Sequence, residues 1–423
     1  MEITMTEADV TVIGGGAAGL VAAVAAARCG ARTRILEHMD RVGKKILSTG
    51  NGKCNYTNAL QGVSYYRGED PAFVLPVFAQ FGHEETVRFF RELGIMPKER
   101  RGYFYPASEQ AASVLEVLRM ECAYLGVETV TSCAPESIRK SGTGYRIQTN
   151  CGTYQTRKLI FATGLLAAPK TGSDGSAFSH IKKLGHHFID IVPALVPLVA
   201  KQSCFKALAG IRTEACVTLY IDGRAAVSET GELQLTDYGI SGIPVFQISR
   251  FATRALQEKC AVSAKIHFLP SLAREDVKKL LAERFYNYAH DKDCSQALIG
   301  LCNKKLGDVL LKESGISLHL YAKQIDGRQL ERLCEALCSF RADIIGSKPV
   351  EAAQVCAGGI PVCEVEQETL ESKLAPGVYF AGEVLDVDGT CGGYNLQWAW
   401  SSGYVSGVHA AEAACGRKES EKR

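Results

Sequence analysis

The stretch from Val10 to Glu37, VTVIGGGAAGLVAAVAAARCGARTRILE, constrains the fold more than any other part of the chain. Val10–Ile13 is a short, β-branched apolar run of the kind that forms a buried parallel strand. It runs into Gly14-Gly15-Gly16-Ala17-Ala18-Gly19, which contains G-x-G-x-x-G, and a helical run follows to about Cys29. A second strand over Thr33–Leu36 ends at Glu37, 18 residues after Gly19. In a dinucleotide site Gly14 permits the tight turn, Gly16 lets a diphosphate approach the backbone, and Gly19 lets helix and strand pack closely. The helix N-terminus at Ala17 and Ala18 offers unpaired N–H groups and a positive dipole end. Glu37 is placed to accept hydrogen bonds from ribose hydroxyls. The glycine motif alone is weak. Strand, turn, helix, second strand and acid in that order make dinucleotide binding the reading.

The uncharged run Val10–Ala27 is long enough to cross a membrane. Its glycines come early and the remainder is mostly alanine, so a strand, a turn and a buried helix explain it better. The first residues, MEITMTEAD, are acidic where a secretory signal would be basic. The expectation is a cytoplasmic protein with no membrane partner. With 423 residues, two or three domains are expected. A formal charge of +2 leaves no electrostatic footprint for nucleic acid. The 16 cysteines include no CxxC pair, so zinc and dithiol-redox motifs lack their usual spacing, and reduced thiols are expected.

A second feature separates FAD from NAD. After Glu37 comes the loop HMDRVGKKILSTGNGKCNYTN, residues 38–58, longer and more polar than a simple NAD site needs. A flavin continues past the diphosphate through a ribityl chain to a ring that takes hydrogen bonds along its edge. His38, Gly43 and Lys44 open this loop; Ser48, Asn51 and Asn55 supply polar groups; Gly50 and Gly52 allow close approach of backbone. Leu159–Phe161 reads as a strand ending in the small-residue turn Ala162-Thr163-Gly164. Val378–Ala381 reads as another, ending at Gly382 and Glu383, where an acid can bind ribityl hydroxyls. Beyond it Gly392 and Gly393 precede a helix from about Tyr394, with Asn395 and Leu396 in its first turn. That helix N-terminus would aim N–H groups at the ring edge that becomes negative on reduction. Trp398 and Trp400 cannot share one helix face and are read as packing residues.

GGGAAG, Glu37, GKKILSTGNGKCNYTN, ATG and GVYFAGEVLDVDG-x-CGGYNLQWAWSSG together resemble the BaiN-like flavoprotein family. That family is also labelled NAD(P)/FAD-dependent or aminoacetone-oxidase-like, and is a branch of the glutathione-reductase-type FAD proteins. The resemblance extends through PKTGSDG (169–175), PALVPL (193–198) and TDYGISGIPV (236–245). Where many relatives read G-G/R-R-C-N, this chain has Asn51 and Lys53 in GNGKCN, so no arginine contact is carried over.

After PALVPL the pattern changes. Residues 211–221 alternate strictly, placing Ile211, Thr213, Ala215, Val217, Leu219 and Ile221 on one side, and Asp222-Gly223 signals a hairpin. Further strands are expected near 224–236 and 263–268. From Ser271 the period becomes helical, with stripes of Val277, Leu280, Leu281, Phe285, Tyr288 and of Leu330, Leu333, Cys334, Leu337. The expected fold is α/β: a Rossmann-like FAD-binding domain (1–190 and 350–423) interrupted by a β-barrel-like domain (191–269 and 339–349), which carries a helical subdomain (270–338). The family resemblance implies the same plan.

Other constellations are weaker. His180, His186 and His187 cluster without a nearby acid or thiol in sequence, so no metal is expected. Cys54 and Cys391 lie in the expected flavin loops and are read as buried, inert thiols. Tyr394, then Tyr238 and Tyr105, are the candidate proton donors. The expected activity is flavin-dependent oxidoreduction of a small molecule, with NADH or NADPH as a transient electron donor, since no second G-x-G-x-x-G occurs. The resemblance implies reduction of a C=C bond in an apolar, steroid- or bile-acid-like enone. The alternatives are an O₂-using oxidase of small amines and a non-catalytic FAD-containing binding protein. The sequence leaves the oligomeric state open.

Overall fold

The computed structural model describes residues 7–289 and 291–416. The chain divides into two compact units, Met1–Val192 with Gln354–Arg423, and Pro193–Ala353.

In the first unit β1 (Glu7–Ile13), α1 (Ala17–Arg28) and β2 (Thr33–Leu36) form the expected opening. β1 lies between β2 and the long strand Gly152–Phe161, parallel to both. Glu128–Val130 adds in parallel beyond β2, and Val378–Phe380 adds in parallel to the end of the long strand. The start of that strand pairs instead with an antiparallel extension, Gly144–Thr149 and Pro135–Ser141. Both faces of β1 are covered: Val10, Thr11 and Val12 are all fully buried, which is why the run is apolar rather than alternating. The parallel strands deliver Gly14, Ala162 and Ala381 to the same edge of the sheet.

The C-terminal helix, Tyr394–Cys415, lies along α1. A Cβ on Gly403 would overlap the Ala18 carbonyl, and one on Gly407 the Ala22 carbonyl, so the helices meet backbone to backbone. This accounts for the alanine-rich composition of α1, where Ala18 to Ala26 are buried. Among the described residues no helix is long and apolar enough to cross a membrane. Trp398 and Trp400 are both buried on different sides of the C-terminal helix. The Trp398 indole donates to the Gly382 carbonyl (3.1 Å) and packs edge-on to Phe73 and Phe78. The Trp400 indole donates to the Tyr56 carbonyl (2.9 Å) and packs on Phe90.

The second unit contains a closed antiparallel barrel, in the order Leu198–Ala200, Gly239–Gly242, Arg224–Thr236, Arg212–Ile221, Val262–His267, Phe340–Ser347. At the hairpin Asp222 and Gly223 have φ of 47° and 78°, the paired left-handed conformations that a type I′ turn requires. Ala215, Val217 and Leu219 are fully buried, while Thr213 and Ile221, towards the strand ends, are half-buried. Helices Arg274–Ala282, Lys304–Glu313 and Gly327–Cys338 share one core with the barrel strands. Val277, Leu281, Phe285 and the Leu330–Leu337 stripe are buried as expected, but Tyr288 is 62% exposed. A wide π turn over Glu283–Asn287 shifts the helical phase and rotates Tyr288 off the stripe.

Replacing Gly407 by Val should destabilise the protein by about 1–3 kcal/mol, because its side chain has only the Ala22 backbone to displace. Urea unfolding should show a lower midpoint at an unchanged slope. An unchanged midpoint contradicts the backbone contact.

Candidate cofactor and active site

The dinucleotide turn is built at the end of β1. Gly14 takes a φ of 97°, and a Cβ there would lie 2.7 Å from the Ala162 carbonyl oxygen. Gly19 sits against the Gly14 carbonyl, while the direction of the absent Gly16 Cβ is open for at least 4 Å. No side chain caps the α1 N-terminus, which leaves its leading N–H groups without an intrahelical or side-chain partner. Glu37 is buried and braces this turn: its Oε2 accepts from Gly15 N–H at 2.7 Å and its Oε1 from Met39 N–H at 2.8 Å. His38 approaches Glu37 through Nδ1 (3.2 Å) and Asp174 through Nε2 (3.4 Å). Its hydrogen bond with Glu37 holds the imidazole pKa above the usual value, against a smaller opposing effect of burial.

Ala162-Thr163-Gly164 and Gly382-Glu383 adjoin the same turn. A Cβ on Gly382 would meet the Ala18 methyl at 2.9 Å, and Gly164 lies beside the Ser173 hydroxyl and the Glu383 carboxylate. Glu383 accepts from Lys45 Nζ (2.7 Å) and from Cys356 N–H (2.8 Å). The Ser173 hydroxyl is buried without a partner.

The C-terminal helix begins at Gly393, whose φ is 95° and whose missing Cβ would lie 2.8 Å from the Thr57 carbonyl oxygen. It too lacks a side-chain cap. Asn55 Oδ1, adjacent to Gly393, is buried without a partner. Asn395 secures the preceding turn, accepting from Gly389 N–H and donating back to Gly389 O. Leu396 is half-buried against the core. Gly43 N–H donates to Gly15 O, and Gly43 packs where a Cβ would strike Leu115. The rest of the loop is more exposed than its sequence implies. Ser48 turns its hydroxyl to the Lys45 carbonyl, Lys44 pairs with Asp40, and Gly50, Asn51 and Gly52 are exposed with φ of 54°, 57° and 83°.

Tyr394 is 3% exposed. Tyr65 stacks on it at 4.5 Å and 8°, and Tyr66 packs edge-on at 5.9 Å. Burial, and then Tyr65, raise the Tyr394 phenol pKa well above its usual value. Tyr105 is half-buried on the neighbouring hairpin, and Tyr238 belongs to the other unit, with Lys348 over its ring. Cys54 and Cys391 are pushed up to about 12 by burial and are neutral thiols. Three features escaped the sequence reading. Lys45, rather than Lys44, faces Glu383; Tyr65 and Tyr66 sandwich Tyr394; and Glu364 joins His186 to His187 at 2.7 Å each. All three depend on partners far apart in sequence, so no local pattern reveals them.

Two uncapped helix starts, an open glycine approach and buried partnerless oxygens at Asn55 and Ser173 fit the diphosphate, ribityl chain and ring of FAD. Residues 8–409 match the model of the HI0933-like protein Rossmann domain. The chain belongs to that family. It is 44% identical over 407 residues to the 3-dehydro-bile acid delta(4,6)-reductase of Clostridium scindens, covering 95% of this chain and 98% of the relative. It is 28% identical over 404 residues to the ribosomal RNA dihydrouridine synthase of Escherichia coli, covering 95% and 97%. Among solved structures, an open flavocytochrome c3 fumarate reductase matches with a TM-score of 0.51 at 14% identity, covering 98% of this chain and 79% of that one. That likeness shows the fold, a Rossmann-type FAD-binding architecture.

Two outcomes follow. Glu37→Gln removes the charge from the acceptor and should weaken FAD binding to the apoprotein by about 10- to 100-fold, the scale of one charged hydrogen bond. Flavin fluorescence quenching measures it, and an unchanged affinity contradicts the role of Glu37. His38 has a folded pKa raised above 6.5. Its stabilisation is therefore fully present below pH 6.5 and is lost as pH rises through the folded value. The stability difference between wild type and His38→Gln should shrink on that rise; a difference that grows contradicts it.

Proposed function

We propose that this protein is an FAD-dependent reductase that adds two hydrogens across a C=C bond conjugated to a carbonyl, in a planar, apolar steroid-like substrate, with NADH or NADPH as donor. The observation that carries the reading is the 44% identity to a bile acid reductase over nearly all of both chains. Dihydrouridine differs from uridine by two hydrogens across a C=C bond conjugated to a carbonyl, so the second relative's product is the same bond type. Both relatives favour reduction over amine oxidation. The formal charge of +2 gives little attraction for an RNA backbone and favours the small apolar substrate.

The chain's own groups suit that chemistry. FAD, when bound, supplies the hydride and accepts electrons from the pyridine nucleotide. α1 would hold its diphosphate, Glu37 its adenosine ribose, and Glu383 with Lys45 its ribityl chain. The C-terminal helix start presents N–H donors where negative charge develops. Tyr394 keeps its proton across the physiological range, but its ring is too buried to meet a substrate. Tyr65, half-buried over it, is the group that delivers a proton to the carbon beside the carbonyl, and Tyr394 resupplies it.

Anaerobic stopped-flow tests this reading. NADH or NADPH should bleach the flavin, and a conjugated 3-keto steroid should restore its colour. No bleaching by either nucleotide, or colour restored by uridine-containing RNA and not by the steroid, contradicts it. Tyr65→Phe should slow the recolouring by roughly 10²- to 10⁴-fold, the usual range for a general acid, and leave bleaching unchanged.

A further inference from the structure

Behind the segment that carries Glu37, two cysteines approach each other beside the turn between Gly144–Thr149 and Gly152–Phe161. Pro135 pairs with Thr149, and the next residues out, Ala134 and Asn150, are joined by Asn150 N–H to Ala134 O (3.3 Å) and by Ala134 N–H to Asn150 Oδ1 (2.7 Å). Asn150 and Cys151 form the tight turn that leads into the long strand, whose Gly152 pairs back with Thr149, and this turn sets Cys151 beside Cys133.

The two thiols share one hydroxyl. Cys133 Sγ lies 3.4 Å from Thr149 Oγ1, and Cys151 Sγ lies 3.3 Å from it. Thr149 has one proton to give, and the Gly152 carbonyl sits at 2.8 Å to receive it. Its oxygen then accepts from the Cys133 thiol and from Cys151 N–H at 3.2 Å. That leaves Cys151 sulfur as an acceptor, with the Tyr154 hydroxyl 3.7 Å away as donor. Cys151 is exposed and Cys133 is fully buried. The arrangement is an accessible attacking sulfur backed by a protected resolving one.

We propose that Cys133 and Cys151 form a modification site, a dithiol that hydrogen peroxide oxidises to a disulfide. Burial raises the Cys151 thiol pKa, but hydrogen bonding at its sulfur outweighs it and holds the thiol below its usual value. Burial pushes Cys133 the other way, which keeps it protonated until the second step. Cys151 thiolate attacks one peroxide oxygen: an S–O bond forms, the O–O bond breaks, and the departing hydroxide takes a proton to leave as water. Cys133 sulfur then attacks the sulfenic sulfur: an S–S bond forms, the S–O bond breaks, and a second water leaves with the Cys133 proton. The two thiols lose two hydrogens and one peroxide becomes two waters. Two other close thiols, Cys334 and Cys338 on one helix, are both raised by burial and lack an activated partner.

The site adjoins the segment that carries Glu37. Cys133 N–H donates to the Glu37 carbonyl (2.9 Å), and Ser132 N–H to the Met39 carbonyl (2.8 Å). The crosslink therefore ties the strap behind Glu37 to the neighbouring hairpin.

Peptide mapping of the full-length holoenzyme tests the proposal. Reduced protein is treated with peroxide, alkylated, and digested with trypsin. The expected product joins the peptide of Cys151 to that of Cys133 with loss of two hydrogens, while Cys122, in the same tryptic peptide as Cys133, stays alkylated. Before oxidation, Cys151 should alkylate at least about tenfold faster than Cys133. In Cys133→Ser, Cys151 should stop at the sulfenic acid and be trapped by dimedone. In Cys151→Ser, Cys133 should remain fully alkylatable after peroxide. Wild-type Cys151 that stays a thiol, accumulates as sulfenic or sulfinic acid with Cys133 free, or pairs with another cysteine, overturns the proposal.

Discussion

The backbone contact between α1 and the C-terminal helix is the constraint on which the cofactor unit depends. Gly403 and Gly407 have no side chains because the Ala18 and Ala22 carbonyls occupy that space. The contact brings segments from opposite ends of the chain together. Gly382 then rests on Ala18, and the Trp398 indole locks the Gly382 carbonyl from the other side. The bulky tryptophans and the glycines beside them are two parts of one device. Glycine permits approach on one face of the helix, and indole fills the core and fixes the strand end on the others.

The helix starts at Gly16 and Gly393, like several others among the described residues, lack side-chain caps, and these two begin at glycines beside the nucleotide-binding turn and the Asn55 loop. An uncapped start leaves N–H donors free for a ligand, and a side-chain cap at such a position is worth about 0.5–2 kcal/mol. An anionic group at the first and a polar ring edge at the second would satisfy both. The buried oxygens of Asn55 and Ser173 add to the same demand. Lys45 and Glu383 neutralise each other at 2.7 Å, beside Gly164.

Much of this unit was legible in the sequence because its logic is local. The β1–α1–β2 opening, the turn after Phe161 and the helix from Tyr394 each follow from a run of neighbouring residues. The barrel hairpin was legible for the same reason, since Asp222-Gly223 specifies its own turn. The remainder was hidden because it is non-local. Lys45 and Lys44 are equivalent in sequence, and only the position of Glu383, 338 residues away, distinguishes them. Tyr394 stood out by position, yet its burial under Tyr65 depends on how two distant segments stack. The helical stripe ending at Tyr288 failed because a π turn adds a residue to the period.

Segments near both ends of the chain are proposed to grip one FAD. The most direct test is the flavin content of the purified protein, read from the absorbance of the supernatant after denaturation and confirmed by chromatography. The account predicts one non-covalently released FAD per chain, or stoichiometric uptake by the apoprotein when FAD is added. A folded protein that is colourless and remains so in excess FAD would contradict it.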